Sequence, residues 1–238
     1  PVRDDADGVA ALLASLAACT PMLDRRRPPG VAVGDAVDPA AGHDGISLPM
    51  RTLVVDDAST DPQRLARVAE RFGAEVIRCD RSGGPGAART IGLAAVTTPW
   101  VAFLDADTTV ATGWLATAGA HLRDDRVSTG STGPRIALVA PRVMPGVSQG
   151  VVRLTRDRMV EGRRTARSPM AKLAAYERAH SPLDLGADGG TITAGTRLSY
   201  APSAAWLVRV DAIRRLGGFD AGLRYGEDVD LIWRLVDA

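Results

Sequence analysis

The 238-residue sequence is 45% hydrophobic and 24% charged, an ordinary folded composition that excludes a disordered or fibrous chain. Its 29 Lys and Arg residues balance 28 Asp and Glu residues, so no net charge attracts nucleic acid or an anionic membrane. Cys19 and Cys79 are too few for a disulfide framework, and no apolar run reaches the roughly 18 residues that span a bilayer. We expect a cytoplasmic protein that binds no nucleic acid and contacts the inner face of the membrane at most peripherally.

The first half of the chain alternates short apolar runs with stretches of helical periodicity. Residues 25–50, rich in Gly, Pro and Asp, interrupt this order and are predicted to form a flexible insertion. Strands that alternate with helices predict an α/β fold, with a mostly parallel central sheet flanked by helices. The predicted helices are 9–18, 61–72 and 85–95, and the predicted strands are 52–55, 74–77 and 100–104.

The second half has a weaker pattern. Residues 147–168 form an Arg-rich segment without clear periodicity. The predicted helices are 115–122, 171–180, 210–216 and 227–235, and the predicted strands are 136–143 and 198–200. The chain starts abruptly and ends inside a predicted helix, which leads us to expect a segment of a longer protein.

Two acidic pairs directly follow predicted strands. They are Asp56-Asp57 and Asp105-Ala106-Asp107. Ligands of open α/β sheets bind at the carboxyl ends of the strands, and Mg²⁺ or Mn²⁺ prefers carboxylate oxygens shared with substrate phosphates. The second pair therefore fits a metal and phosphate site, although an isolated Asp-x-Asp is more often a polar strand-to-helix turn, here with Asp107 capping the next helix.

Two further segments combine glycines with charged residues. The loop 81–89 enters a helix and ends in Arg89, an arrangement that favours a phosphate or simply allows a tight turn. It lacks the lysine and the spacing of a P-loop. Near the C-terminus, Glu227 and Asp230 lie three residues apart on a predicted helix while Asp228 points elsewhere, so the three carboxylates need not share a role. Acids in a first turn also stabilise the helix dipole.

Taken in order, these motifs resemble family 2 glycosyltransferases of the GT-A fold, and the resemblance covers nearly the whole chain. It implies one nucleotide-sugar-binding GT-A domain over 1–238, with a donor half at 1–140 and an acceptor-binding half at 141–238. The segments that carry it are Val55-Asp56-Asp57-Ala58-Ser59-Thr60-Asp61, Gly86-Ala87-Ala88-Arg89, Phe103-Leu104-Asp105-Ala106-Asp107, Gly217-Gly218-Phe219-Asp220 and Glu227-Asp228-Val229-Asp230-Leu231.

The resemblance also assigns roles to individual residues. Asp107 is expected to bind Mg²⁺ or Mn²⁺, and Asp228 to be the catalytic base of an inverting transfer. The expected donor contacts are Pro1 and Asp4 at the end of the first strand, Asp56 at the nucleotide base, Arg89, and Asp105 at the ribose or the metal. The expected acceptor-side residues are Trp233, Arg234 and Glu227, the last of which orients either the acceptor or the helix.

The resemblance is nearest to the mycofactocin-associated group of this family. The segments that carry it are Ser181-Pro182-Leu183-Asp184-Leu185-Gly186, Tyr200-Ala201-Pro202-Ser203-Ala204-Ala205 and 226–234. It implies a UDP-glucose donor and a hydroxyl acceptor on a peptide-derived redox cofactor. The chain departs from the family in having Thr90 where the family usually has Asn, which puts the neighbouring donor contact in question. Its first strand also lacks the upstream residues that complete the base pocket.

Two alternatives to a transferase are open at this point. A strand that ends in Asp105-Ala106-Asp107-Thr108 also resembles the nucleophile motif of haloacid-dehalogenase-like phosphatases, whose chemistry needs a lysine, and Lys172 is the only one. A domain that binds nucleotide sugars without turnover is the second. Trp114, Trp206 and Trp233 are candidates either for stacking on a sugar or for core packing.

Overall fold

The computed structural model describes residues 1–19, 51–128, 136–144, 183–193 and 198–238. The predicted insertion at 25–50, the Arg-rich segment 147–168 and the predicted helix 171–180 lie outside the described residues.

The described residues contain helices and strands close to the predicted positions. The helices are α1 Ala6–Cys19, α2 Pro62–Arg71, α3 Gly84–Ala94, α4 Trp114–Ser128, α5 Val210–Arg215 and α6 Glu227–Val236. The strands are β1 Leu53–Asp56, β2 Glu75–Arg78, β3 Trp100–Leu104, β4 Leu138–Val139 and β5 Ala205–Arg209.

Two strand predictions are wrong in position or length. The strand predicted at 198–200 is irregular backbone, and the strand of this region is β5, five residues further on. The strand predicted at 136–143 is reduced to the two residues of β4. The first error arises because the apolar run that forms β5 directly precedes α5, and periodicity does not separate a short buried strand from the helix that follows it. The second arises because only Leu138 and Val139 pair with β5, and pairing with a distant strand is absent from the local pattern.

Local signals explain where the first two helices begin. Asp5 precedes α1 and accepts a hydrogen bond from the Gly8 amide at 2.8 Å, which satisfies a free N–H of the first turn. Asp61 caps α2 in the same way, with Arg64 N at 2.9 Å. α1 buries one face, at i, i+3, i+4 and i+7, which consists of Val9, Leu12, Leu13 and Leu16.

The strands form two sheets. β1 and β2 pair in parallel, and Val2 adds a parallel bridge to Asp56, as expected for the end of a first strand. The second sheet has the order β3-β5-β4, and both of its pairings are antiparallel. The α/β class is therefore confirmed, with the predicted parallel pairing in the first sheet and an antiparallel second sheet that the sequence did not predict.

Each sheet has its own apolar core. One core joins α1, α2 and β1, and the other joins β3, β5, α5 and α6 around the fully buried Trp206. An apolar cavity of about 490 Å³ lies between β1 and β3, and Val2 is among its lining residues. Across the described ranges, every helix is too short or too polar to cross a membrane.

Candidate active site

The Asp105-Ala106-Asp107 segment forms a tight turn after β3. The Asp105 amide donates to the carbonyl oxygen of Ala204 at 3.0 Å, and the Asp105 carbonyl accepts from the amide and hydroxyl of Thr108 at 3.1 and 2.7 Å. Asp107 is exposed, and no described residue donates a hydrogen bond to its carboxylate. The turn thus presents Asp107 to solvent with both oxygens available.

The start of α1 supports this turn from behind. A Cβ at Gly8 would lie 2.7 Å from the carbonyl oxygen of Ala106, which is backbone and cannot swing away. Only glycine therefore allows α1 to approach the acidic turn this closely.

Arg89 lies inside the protein between two acidic segments. Its side chain is 2% exposed, and its guanidinium donates to Asp105 Oδ1 at 2.5 Å and to Glu227 Oε1 at 2.7 Å. Its Cζ lies 5.4 Å from the centroid of the Phe219 ring. Arg89 was predicted to help hold the donor; in this structure its charge is used by two protein carboxylates.

Asp228 and Glu227 begin α6 but face different surroundings. Glu227 is buried against Arg89, which favours the helix-orienting alternative over a contact with an acceptor. Asp228 is half-buried, and its Oδ2 accepts a hydrogen bond from the Ser203 amide at 3.3 Å while its Oδ1 accepts from Val229 N at 2.9 Å. The predicted base is therefore held at the start of β5.

Residues 203 and 204 connect the two halves of the site. Ser203 donates to the Asp228 carboxylate, and the carbonyl of the next residue, Ala204, accepts from the Asp105 amide. The predicted base and the acidic turn after β3 are thus both bound to the same two-residue backbone segment.

Asp56 is the most buried of the predicted donor contacts. It is fully buried, its Oδ1 accepts from the Ser59 amide at 2.8 Å, and its Oδ2 is paired with the guanidinium of Arg78. Because both oxygens bind protein groups, the carboxylate orders the loop after β1 in this structure. Arg78 itself is exposed and is the last residue of β2, the strand that pairs with β1.

Asp57, which the sequence did not single out as a contact, organises the glycine loop. Its carboxylate accepts from the Ser82 hydroxyl at 2.7 Å and from the amides of Gly83 and Gly84 at 2.8 and 3.0 Å. Burial alone would raise the pKa of Asp57, but these three hydrogen bonds outweigh it and hold the pKa below its usual value. Asp57 thus fixes the loop that leads into α3 and Arg89.

The two predicted contacts near the N-terminus lie on different sides of Val2. Pro1 is half-buried and lies within electrostatic reach of Arg89 and Asp105. The Asp4 carboxylate is exposed and accepts from the amide and hydroxyl of Thr60 at 2.7 and 2.8 Å. In this structure Asp4 links two loops, and Pro1 is the nearer of the two to the acidic turn.

The predicted acceptor-side residues Arg234 and Trp233 of α6 differ in how many protein groups they bind. Arg234 binds Asp230 and the carbonyls of Leu216 and Gly218, so it fastens α6 to the preceding loop. Trp233 is 54% exposed and donates to the Ser199 carbonyl at 3.1 Å, so about half of the residue is open to solvent.

The other two candidate stacking residues, Trp114 and Trp206, are buried and belong to the apolar cores.

The Gly217-Gly218-Phe219-Asp220 motif is a packing element. Gly218 has a φ of 82°, and a Cβ there would lie 3.4 Å from Thr90 Oγ1. Thr90 also donates to the Phe219 carbonyl at 3.4 Å, so its hydroxyl faces this motif. Phe219 packs edge-on against Phe103, with the ring centroids 5.2 Å apart. The motif thus holds α3 and β3 together behind the site.

Asp105 and Asp107 are the residues whose carboxylates could hold a divalent cation. Arg89 occupies one oxygen of Asp105, which leaves the other oxygen and the whole Asp107 carboxylate. No group of three or more Asp, Glu, His or Cys residues with metal-binding geometry occurs in the described part of the chain. A cation here fits only if another molecule, such as a diphosphate, completes its ligands.

The structure therefore brings Asp105, Arg89, Glu227 and Asp228 together and leaves Asp4 outside this network. Asp57, Arg78, Ser203 and Phe219 also shape the site, and sequence reasoning assigned them no individual role. Asp57, Ser203 and Phe219 do lie inside segments that carry the family resemblance, which is the signal that could have found them.

Comparison with known proteins places this geometry in a family. The model of "Glycosyl transferase family 2" matches residues 46–166. The chain is 41% identical over 190 residues to a pre-mycofactocin glycosyltransferase of Mycobacterium tuberculosis (strain CDC 1551 / Oshkosh), which covers 79% of this chain and 34% of the relative. It is 36% identical over 77 residues to the succinoglycan biosynthesis protein ExoO of Rhizobium meliloti, and this match covers 32% of this chain and 21% of ExoO.

The fold also matches a solved structure. Residues 1–349 of TarS from S. aureus superpose with a TM-score of 0.58 at 18% identity, covering 99% of this chain and 53% of that one. The chain spans about a third of the length of its mycobacterial relative. The GT-A fold predicted from the motifs is confirmed, and the chain belongs to glycosyl transferase family 2, near the pre-mycofactocin glycosyltransferases.

Proposed function

We propose that this protein is an inverting glycosyltransferase that moves a sugar from a nucleoside diphosphate to a hydroxyl acceptor. One observation carries the proposal: the backbone of residues 203–204 binds both the Asp228 carboxylate and the Asp105 amide. A general base and an acidic metal-binding turn are thus fixed on one frame. A displacement reaction needs these two groups on opposite sides of the reacting carbon.

Asp228 is the proposed catalytic base. Its side chain is half-buried and accepts hydrogen bonds only from backbone amides, so no described cation neutralises the carboxylate. The acceptor oxygen forms a bond to the anomeric carbon as the bond from that carbon to the diphosphate oxygen breaks. The acceptor proton moves to Asp228, and the electron pair of the broken bond leaves with the nucleoside diphosphate. One displacement inverts the anomeric configuration.

Asp107, with the second oxygen of Asp105, is proposed to hold Mg²⁺ or Mn²⁺. The exposed Asp107 carboxylate lacks hydrogen bonds from described residues, which is the state in which a hard cation binds with little rearrangement. When bound, the cation offsets negative charge on the departing diphosphate. Asp105 is additionally restrained by Arg89, so the two carboxylates differ in role.

UDP-glucose is the proposed donor, and a peptide-derived redox cofactor of the mycofactocin type is the proposed acceptor. The support is the 41% identity to a pre-mycofactocin glycosyltransferase over 79% of the chain. The exposed Trp233 ring, which is anchored to the Ser199 carbonyl, is a surface on which the acceptor could stack. The balanced charge of the chain supports a small-molecule reaction without nucleic acid. The proposed compartment is the cytoplasm.

The Asp228→Asn variant tests the base. We expect transfer to fall by at least about 10²-fold, because proton removal by a positioned group contributes on that order, while UDP binding in the presence of Mn²⁺ stays within about threefold of wild type. Transfer is measured as glucosylated acceptor by mass spectrometry, and UDP binding by calorimetry. Asp61→Asn, which preserves the N-cap of α2 and replaces a carboxylate with no proposed role in the reaction, is the matched control. Near-normal turnover of Asp228→Asn would refute the assignment.

The Asp107→Ala variant tests the metal site. We expect it to weaken UDP binding in Mn²⁺ to the affinity measured in EDTA, whereas wild type loses affinity only when the metal is removed. Equal metal dependence in both proteins would place the cation elsewhere.

The same assays distinguish the two alternatives. Membership in family 2 argues against the phosphatase interpretation, and release of phosphate from simple phosphomonoesters without a sugar acceptor would revive it. UDP-sugar binding by wild type with neither transfer nor hydrolysis would instead identify a domain that binds without turnover.

A further inference from the structure

Arg89 is buried, and both of its terminal nitrogens are paired with carboxylates. Its side chain is 2% exposed and is enclosed by Asp105, Glu227 and the Phe219 ring. Its Nε is buried and has no hydrogen-bond partner in the described residues. The charge is therefore paired with two protein carboxylates, and the side chain also lines the apolar cavity between β1 and β3.

The two carboxylates belong to different parts of the proposed site. Asp105 follows β3 and starts the metal-binding turn, whereas Glu227 is the first residue of α6 and directly precedes Asp228. One guanidinium thus connects the metal side with the base side. Arg donates in a rigid planar fork, so two bonded carboxylates are held at a fixed separation and angle, which the flexible ammonium of Lys does not impose.

The helix that carries Arg89 is fitted to α6 over a short distance. A Cβ at Gly86 would lie 3.1 Å from Glu227 Cγ and 3.4 Å from the Asp220 carbonyl, so α3 contacts α6 closely at this point. Gly86 and Arg89 are three residues apart and share one face of α3. The first turn of α6 is therefore positioned by packing against Gly86 and by the ion pair with Arg89.

We propose that Arg89 is a positioning residue that sets the placement of Asp228 relative to the Asp105–Asp107 turn, and that it does not bind the donor. This inference rests on the proposed function. Asp228 directly follows Glu227 in the chain. Loss of the Arg89–Glu227 ion pair therefore allows the start of α6 to shift, and Asp228 shifts with it. Displacement of a catalytic group by about 1 Å can cost about 10²-fold in rate, while ground-state binding of the donor is unaffected.

Three variants test the proposal: Arg89→Met, Glu227→Gln and their combination. We expect kcat to fall by about 10²-fold in Arg89→Met and by at least 10-fold in Glu227→Gln, with the KM for UDP-glucose within about threefold of wild type. Because the two residues act through one contact, the double variant should be no more than about threefold slower than the slower single variant. A fourth variant, Arg89→Lys, keeps the positive charge but loses the planar guanidinium. Its kcat should lie between that of Arg89→Met and that of wild type.

Two results would overturn the inference. A rise of 10-fold or more in the KM for UDP-glucose, matched by weaker UDP binding, would show that Arg89 holds the donor. Multiplicative losses in the double variant would show that Arg89 and Glu227 act separately. Glu227→Gln keeps the side-chain size and decides the question if Arg89→Met does not fold.

The failure of the proposed function is visible separately. If wild type itself transfers no sugar, the proposed function fails, whereas a failure of this inference alone leaves wild-type transfer intact. Urea unfolding of wild type, Arg89→Met, Glu227→Gln and the double variant measures the coupling between Arg89 and Glu227 without an activity assay. Additive effects of the two substitutions on the free energy of unfolding would also contradict the contact.

Discussion

Phe219 supplies the apolar support of the site, and its replacement allows a quantitative test. The ring is 3% exposed, lies edge-on to Phe103 at 5.2 Å, stacks with Trp206 at 6.2 Å and lies under the Arg89 guanidinium at 5.4 Å. Truncation removes the burial of a whole aromatic side chain and leaves a cavity among aromatic groups that cannot collapse into it. We expect Phe219→Ala to lower the free energy of unfolding by about 3–5 kcal/mol.

The Phe219→Leu variant separates volume from aromatic geometry. A volume-conserving swap costs under about 1.5 kcal/mol in itself, and each lost aromatic contact adds about 0.5–1.5 kcal/mol. With the contacts to Phe103 and Trp206 both lost, we expect a loss between about 1 and 4.5 kcal/mol, and a smaller loss than that of Phe219→Ala because most of the buried volume is kept.

Urea unfolding with an unchanged m-value is the appropriate assay, because an altered m-value would report a change in the denatured or native ensemble instead. Phe72 provides the matched control, since it also lies under an arginine, with Arg71 Cζ at 5.6 Å, but is only half-buried. Phe72→Ala should cost less than Phe219→Ala. Equal losses at the two positions, or a loss below about 1.5 kcal/mol for Phe219→Ala, would refute the reasoning.

Two further predictions concern the backbone strain at Gly226 and the hydrogen bonds of Asp57 to the glycine loop. Gly226 has a φ of 76° in open space, so Gly226→Ala should cost about 1–2 kcal/mol in urea unfolding from backbone strain alone. Gly189→Ala, also in open space but without a positive φ, should be near neutral. The pKa of Asp57 is lowered on folding, so its stabilising effect is present above its unfolded pKa and is lost as the pH falls through the lower folded value. Wild type should therefore lose more stability than Asp57→Asn between roughly pH 5 and pH 2; parallel pH profiles would contradict this.

Much of the fold was predictable because its signals are local. Asp61 followed by Pro62 marks the start of α2, and the apolar spacing of residues 9–18 marks the buried face of α1. The acidic turn after β3 was predictable for the same reason, since an apolar run that stops at Asp105 marks both the strand end and the candidate site.

Other features were beyond prediction because they depend on pairing between distant segments. β5 lies antiparallel to β3, and the direction of a strand is absent from its own sequence. The sequence likewise gave Arg89 and Glu227 separate roles on the donor and acceptor sides, although 138 residues of chain separate two groups that bind each other.

The sequence by itself determined the local elements and the acidic turn, since each depends on residues close together in the chain, and the order of its motifs determined the membership of a glycosyltransferase family. Only the tertiary structure decided which charges are free and which are used. Asp107 and Asp228 carry no ion pair with a described residue, whereas Asp56 and Glu227 are buried against arginines. Burial and charge pairing are set by the packing of distant segments, and that packing separates carboxylates without an ion pair from carboxylates held by arginines.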